Sequence, residues 1–213
     1  GVENEGKIPY DPEQAKRILA DAGYRTQGGK LLGKDGKPMT FSFKTPNGWL
    51  DWTAAAQIIQ QNLQAIGITI DLQTPTPEKV EAERKNGSFE MTFGVHGGGC
   101  NIYDAYKFPL DSRQSAPIGK DAATNFVRWE DPKTDQLLDQ LRKEEDVEKQ
   151  RAIVHQLQQI MLEQFPTVPL WYGATWFEYR TENAVGWPSE DNPYAYPDDP
   201  LLIITRLRPN TGK

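Results

Sequence analysis

The stretch MTFSFKTPNGWLDWTAAAQIIQQNLQAIGITIDLQ, residues 39–73, decides the fold. Met39, Phe41 and Phe43 alternate with polar residues, which is the two-residue period of a half-buried strand. From about Asp51 to Ile66 the period changes. Ala55, Ile59, Leu63 and Ile66 now share one helical face, and Gly67 stands just past the end. Ile68, Ile70 and Leu72 alternate again. Thr76-Pro77 then opens a shorter helix that stops near Gly87, and Phe89, Met91, Phe93 and Val95 form a third alternating run. Strand, helix, strand, helix, strand at this spacing calls for right-handed crossovers, and therefore a largely parallel sheet.

Toward the N-terminus, Asp11-Pro12 followed by Gln14 is a helix start, with Ala15, Ile18, Leu19 and Ala22 on one face and Gly23 ending it. Residues 28–38, GGKLLGKDGKP, predict a hairpin closed around Asp35-Gly36. Toward the C-terminus, residues 96–124 carry no convincing element, a length that points to function or disorder. Asp131-Pro132 opens a helix bearing Leu137, Leu138 and Leu141. Asp146 opens a longer one with Ile153, Leu157, Ile160 and Met161, ended by Phe165-Pro166. Val168, Leu170 and Tyr172 predict a strand, and Leu201–Leu207 another.

Composition narrows the function. At 213 residues the chain fits one large domain or two small ones. Its formal charge of −6 comes without a basic block, which argues against a nucleic-acid partner. The longest apolar runs are too short to cross a bilayer. A single cysteine, Cys100, excludes an internal disulfide.

Most site chemistries fail on spacing. Gly97-Gly98-Gly99 lacks the Gly-Lys-Ser/Thr ending and the following helix that a phosphate cradle needs. His96, Cys100 and His155 lack the paired spacing of a zinc site, so no metal is expected. No nucleophile elbow is present. Glu190, Asp191, Asp198 and Asp199 lack the alternation of a calcium loop, and read more simply as a solvated edge.

What remains is aromatic. Trp171, Tyr172, Trp176, Phe177, Tyr179, Trp187, Tyr194 and Tyr196 crowd one region, three of them in the proline-rich GWPSEDNPYAYP of residues 186–197. Trp49 and Trp52 sit at another strand-to-helix turn, and Tyr103 and Tyr106 lie in the long loop. Any one ring can be core. As a set they fall near strand ends, where open α/β sheets place ligand clefts. Their flat faces suit sugar rings or peptide side chains.

Five segments in this order carry a resemblance: YDPEQAKRILADAGY, DGKP before FSFKT, AQIIQQNLQAIGITIDLQ, FVRWEDPKTDQLLDQL and RAIVHQLQQIMLEQFPTVPLW. The chain resembles the family 5 extracellular solute-binding proteins that feed ABC importers and include peptide, nickel and oligosaccharide receptors. The resemblance implies an α/β fold, a mixed, largely parallel sheet flanked by helices, like the C-terminal lobe of a class C (type II) periplasmic binding protein. Residues 1–213 are then one C-terminal ligand-binding lobe, the N-terminal lobe of the parent lying outside a chain that begins at Gly1. The implied protein is a monomeric, extracytoplasmic receptor, periplasmic or lipid-anchored, that closes on its ligand and delivers it to a membrane permease. It uses no cofactor and is not an enzyme.

Peptide-binding members place an acidic residue beside an aromatic after the FEMTFGV-like strand, to pair with the peptide's amino group. Here that stretch reads Gly98-Gly99-Cys100-Asn101, with no carboxylate before Asp104. The segment GWPSEDNPYA after PLWYGATWF is similar to the oligosaccharide-binding branch. An oligosaccharide is therefore expected ahead of an oligopeptide, with Trp49, His96, Asn101, Tyr103, Trp171, Tyr172, Trp176 and Trp187 as ligand-binding residues. The alternatives are a carbohydrate hydrolase using the carboxylates of residues 187–199, or a stand-alone protein-interaction domain with exposed aromatics.

Overall fold

Strand pairing follows the changes of period in residues 39–93. The structure, a computed structural model, describes residues 8–95, 101–171, 178–196 and 199–211. They fall into two compact units, Gly1–Val168 and Pro169–Lys213.

In the first unit the central strand is β3, Thr40–Lys44, preceded by the short strands β1, Arg25–Gln27, and β2, Lys30–Leu32. On one side β3 pairs in parallel with β4, Thr69–Gln73, from Thr40 opposite Thr69 to Lys44 opposite Gln73. On the other it pairs in parallel with β5, Met91–Thr92, Phe43 lying opposite Met91. Helix α2, Leu50–Ala65, makes the first crossover and α3, Pro77–Asn86, the second. Phe43, Ile68, Ile70 and Phe93 are buried with Leu31 and Ala56, and Trp52, Ile59 and Leu63 pack against them. The sheet is parallel and helix-flanked, and the remaining strands form separate antiparallel pairs.

β5 is shorter than the run Phe89–Val95 suggested. The Glu90 carboxylate accepts hydrogen bonds from the Ser42 backbone N–H and hydroxyl, each at 2.7 Å, and so occupies the ladder position a longer β5 would fill. These bonds, the backbone one first, hold the Glu90 carboxyl below its ordinary range.

The hairpin closes one turn earlier than expected. β1 and β2 pair with Gln27 opposite Lys30, around Gly28-Gly29. Both glycines have positive φ, 56° and 76°, as a two-residue hairpin turn requires. Asp35-Gly36 makes the next turn, closed by a bridge between Leu32 and Pro38. The hairpin rests on the α2–β4 corner. The Leu31 N–H donates to the Gly67 carbonyl at 2.8 Å. At Gly67 φ is +88°, and a Cβ would stand 2.7 Å from the Leu31 nitrogen. Helix α1, Pro12–Asp21, begins as read, with the Asp11 side chain accepting from the Gln14 N–H at 2.8 Å.

A second core lies among helices. α4, Ile102–Leu110, α5, Pro132–Lys143, and α6, Val147–Gln164, bury Leu110, Leu137, Leu138, Leu141, Ile153, Leu157 and Ile160 together. α4 and a 3-10 turn at Ser112–Gln114 correct the reading of residues 96–124 as lacking an element. Pro109 disguised the helix, yet it falls in the last turn, near the helix end. Residues 96–100 lie outside the described residues. At α5 the Asp131 carboxylate accepts from the Thr134 hydroxyl at 2.5 Å and from its N–H at 2.9 Å. The loop before α5 is fastened by Arg128, whose guanidinium donates to the carbonyls of Phe126, Lys85 and Lys120, against the C-terminal end of α3.

In the second unit β6, Ala184–Val185, pairs antiparallel with β7, Arg208–Pro209. Two expectations are corrected here. Leu201–Leu207 is not a strand: Pro200–Ile204 is helix α7, because Asp199 accepts from the Leu202 N–H at 3.1 Å and Pro200 takes the first helical position. Residues 168–171 form no strand either, since Pro169 interrupts the run and supplies no ladder N–H. Tyr172, the last residue of that reading, lies outside the described residues.

The bond from the Thr134 hydroxyl, then the backbone N–H groups of Thr134 and Lys133, depress the Asp131 pKa. A depressed carboxylate stabilises the fold above its unfolded pKa, about 3.9, and loses that contribution as pH falls through its folded value. Asp131→Ala should therefore cost about 1 kcal/mol at pH 7. In urea titrations the gap from the parent chain should close progressively below about pH 4; a gap independent of pH would contradict this account of the cap.

Candidate aromatic ligand site

Beyond β3 the chain does not leave the sheet at once. The Thr45 N–H donates to the Gln73 carbonyl at 3.0 Å, and the Asn47 N–H to the Pro75 carbonyl at 2.8 Å. Pairing with the chain beyond β4 therefore continues for a few residues. Gly48, at φ +79°, then reverses the backbone into α2. Trp49 takes the N-cap position, where its side chain makes no capping bond. Its ring is thus held by aromatic contacts.

Those contacts form a relay. Trp49 meets Trp52 edge to face, with centroids 4.6 Å apart and planes at 79°. Trp52 meets Phe93 at 5.3 Å and 69°, and Phe93 meets Phe43 at 4.9 Å and 56°. Phe43 and Phe93 are core, whereas Trp49 remains 43% exposed. Edge-to-face packing of this kind is worth about 0.5–1.5 kcal/mol per pair beyond area burial. A buried stack thus fixes an exposed indole at the carboxyl end of a parallel strand, the position where open α/β sheets bind ligands. Trp49 was among the expected ligand-binding residues, whereas its supports Trp52, Phe93 and Phe43 were not. Trp52 was detectable, three residues on and on the same helical face as Ala55 and Ala56.

The other expected residues are distributed as follows. Asn101 and Tyr103 share the start of α4. The Asn101 side chain accepts the Asp104 N–H at 3.1 Å, so its carbonyl oxygen caps the helix, and among the described residues its amide N–H groups carry no hydrogen bond. Tyr103 is half-buried against the helical core, with the Lys107 ammonium 5.8 Å from its ring centroid. Tyr106, on the same helix, is pushed up in pKa by burial, against an opposing bond to Gln158.

Trp171 and Trp187 belong to the second unit. Trp171 is 51% exposed. The Trp187 indole N–H donates to the carbonyls of Arg180, at 3.2 Å, and Ala184, at 3.1 Å, and the ring stacks on Tyr179 at 5.2 Å and 18°. Tyr194 donates its hydroxyl to the Gly186 carbonyl at 2.6 Å. The proline-rich loop is therefore pinned by its own rings. His96, Tyr172 and Trp176 lie outside the described residues.

Glu190 and Asp191 are exposed in a tight turn closed by the bridge between Ser189 and Asn192. Among the described residues no group of three His, Cys, Asp or Glu is placed to hold a metal ion. No described helix is long and apolar enough to cross a membrane.

Residues 1–117 match the sequence profile of the bacterial extracellular solute-binding proteins, family 5 Middle. The chain belongs to this family. Among curated relatives, the oligopeptide-binding protein AppA of Bacillus subtilis is 27% identical over 168 residues, covering 78% of this chain and 30% of that protein. The oligopeptide-binding protein OppA of Mycobacterium tuberculosis is 30% identical over 172 residues, covering 79% of this chain and 27% of that protein. The chain thus spans about a third or less of the length of these relatives. Among solved structures, the mannohexaose-bound periplasmic oligopeptide-binding protein of Thermotoga maritima superposes with a TM-score of 0.81 at 28% identity, over 90% of this chain and 36% of that one. This superposition shows the same architecture of parallel sheet and flanking helices in the Thermotoga maritima structure.

The relay predicts different costs at its two ends. Trp52→Ala should lose roughly 3 kcal/mol of stability, because it opens a gap between Trp49 and Phe93. Trp49→Ala should lose less than about 1 kcal/mol. Guanidinium midpoints of the two variants would test the ordering, and equal losses would count against it.

Proposed function

We propose that this chain is a ligand-binding lobe of the substrate-binding component of an ABC-type importer, and that its ligand is an oligosaccharide. One observation carries this reading: Trp49, held edge-on by Trp52, offers an exposed ring at the carboxyl end of the parallel sheet. A neutral sugar needs a rigid stacking face and hydrogen-bonding groups for its hydroxyls rather than a buried counter-charge. The Asn101 amide, in the same unit, is a further candidate. The mannohexaose bound to the Thermotoga maritima neighbour supports this ligand class.

In this reading residues 1–213 act as a C-terminal lobe that meets the N-terminal lobe of the same parent chain. Ligand first docks on one lobe, and closure then buries it between the two, because affinity for the closed form exceeds that for the open form. The closed monomeric receptor, outside the cytoplasm in the periplasm or lipid-anchored, is what the permease reads. No catalytic step enters.

An oligopeptide ligand is the second reading, favoured by the names of the curated relatives. It needs a carboxylate for the peptide's amino group, and Asp104, partly buried in the first turn of α4, is the available group in the described part of that segment.

Titration of the chain with mannohexaose and, separately, with short peptides, followed by tryptophan fluorescence, tests both readings. The sugar should shift the emission in the millimolar range, since a lone lobe makes only part of the contacts. Trp49→Ala should abolish that shift while the melting temperature stays close to the parent's. A response to peptides alone, lost in Asp104→Asn, would replace the sugar reading. Breakdown of mannohexaose would replace the receptor reading with a hydrolase.

A further inference from the structure

The sequence contains two Asn-Gly pairs, Asn47-Gly48 and Asn86-Gly87. Asparagine followed by glycine is the pair most prone to cyclise, because a residue without a side chain leaves its amide nitrogen open to the preceding carboxamide. The sequence does not separate the two pairs, but the structure does.

Asn86 is the last residue of α3 and is tied down on every side. Its side-chain oxygen accepts the Ser88 N–H at 2.9 Å, and its carbonyl accepts the Gly119 N–H at 2.7 Å. The Gly87 N–H, which would be the nucleophile, donates to the Glu83 carbonyl as the helix cap. The Arg128 guanidinium packs directly over Gly87, where a Cβ would fall 2.5 Å from its central carbon. Cyclisation there requires the helix end to open.

Asn47-Gly48 differs at each of these points. Both residues are exposed. Nothing lies within 4 Å of the Cβ position at Gly48. Among the described residues, the Asn47 carboxamide and the Gly48 N–H have no hydrogen-bond partner, and the pair is anchored only by the Asn47 N–H to the Pro75 carbonyl.

We infer that Asn47 is a site of spontaneous covalent modification in the folded protein, converting to aspartate and isoaspartate at the entrance to α2, while Asn86 is protected. The Gly48 amide nitrogen, deprotonated by hydroxide, attacks Asn47 Cγ. The new N–C bond closes a cyclic imide as the Cγ–NH2 bond breaks, and ammonia leaves with a proton from water. Water then opens the imide at either carbonyl. The sum is asparagine plus water giving ammonium and a carboxylate, with no oxidant or reductant.

The consequence falls on Trp49, two residues on. The isoaspartyl product adds a methylene to the main chain between the Pro75 anchor and the Trp49 carbonyl, which accepts the first hydrogen bond of α2 from the Thr53 N–H at 2.9 Å. The new negative charge alone is compatible with a helix N-terminus. The longer backbone is what displaces the ring. This inference holds whether or not Trp49 meets a ligand.

The test is to incubate the 213-residue chain at mildly alkaline pH, folded and in guanidinium, and to follow both asparagine peptides by mass spectrometry together with isoaspartyl methyltransferase labelling. In the folded chain Asn47 should convert at least about tenfold faster than Asn86, equivalent to an opening cost of about 1.4 kcal/mol or more at the α3 cap. In guanidinium the two rates should converge. Asn47→Ser should remove the label from the peptide that carries position 47 in the folded chain, and the isoaspartyl form should show a shifted tryptophan emission that Asn47→Asp does not reproduce. Conversion of Asn86 as fast as Asn47 in the folded chain, or label persisting in the peptide that carries position 47 of Asn47→Ser, would overturn the assignment. An isoaspartyl form with unaltered emission would break the link to Trp49.

Discussion

The parallel register of β3 with β4, Thr40 to Lys44 against Thr69 to Gln73, is the constraint on which the first unit depends. A parallel pair cannot be joined by a tight turn, so the chain between must cross over, and α2 supplies that crossover. Once the register is set, alternate residues must point the same way. Phe43, Ile70 and Phe93 then enter one core, and Leu31 is drawn to it through the Gly67 carbonyl. The same pairing runs on past the strands to Asn47, and this delivers Trp49 to the sheet's carboxyl end at a fixed point rather than on a loose connection.

The sequence made this core legible because each element there satisfies one period and one terminator. The alternation of Met39, Phe41 and Phe43, the helical face through Leu63, and Gly67 past its end all have a single reading. Local signals misled where two of them competed. Leu201-Leu202-Ile203-Ile204 has the composition of a strand, but Asp199-Pro200 is the same start signal as Asp11-Pro12 and Asp131-Pro132, and the cap prevails. α4 was obscured by Pro109, although Tyr103, Tyr106 and Leu110 repeat at helical spacing. The length of β5 was not accessible, because a side chain from outside the strand, Glu90, completes the ladder.

The candidate site was legible only in residue type. Aromatic enrichment drew attention to Trp49 and Trp187 alike, yet their surroundings differ in kind. Trp49 has its ring backed by other rings and keeps an exposed surface, whereas the Trp187 N–H and stacking partner are both supplied by its own unit. Asn101, read from sequence as a polar contact, has its side-chain oxygen committed to capping α4. Distinguishing a ring that holds a loop from a ring that offers a surface needs the geometry of its neighbours, which a linear pattern does not encode.

The carboxylate that stands in for backbone at Ser42 has a bearing on colloidal behaviour. Where β5 stops short, the flank of β3 would otherwise present a bare N–H to passing chains, the kind of edge along which sheets extend from one molecule to the next. A charged side chain seals it, and charge is also what another strand finds hardest to approach. The two bonds that seal the flank are also what favour the ionised carboxyl, so protonation of Glu90 weakens the seal.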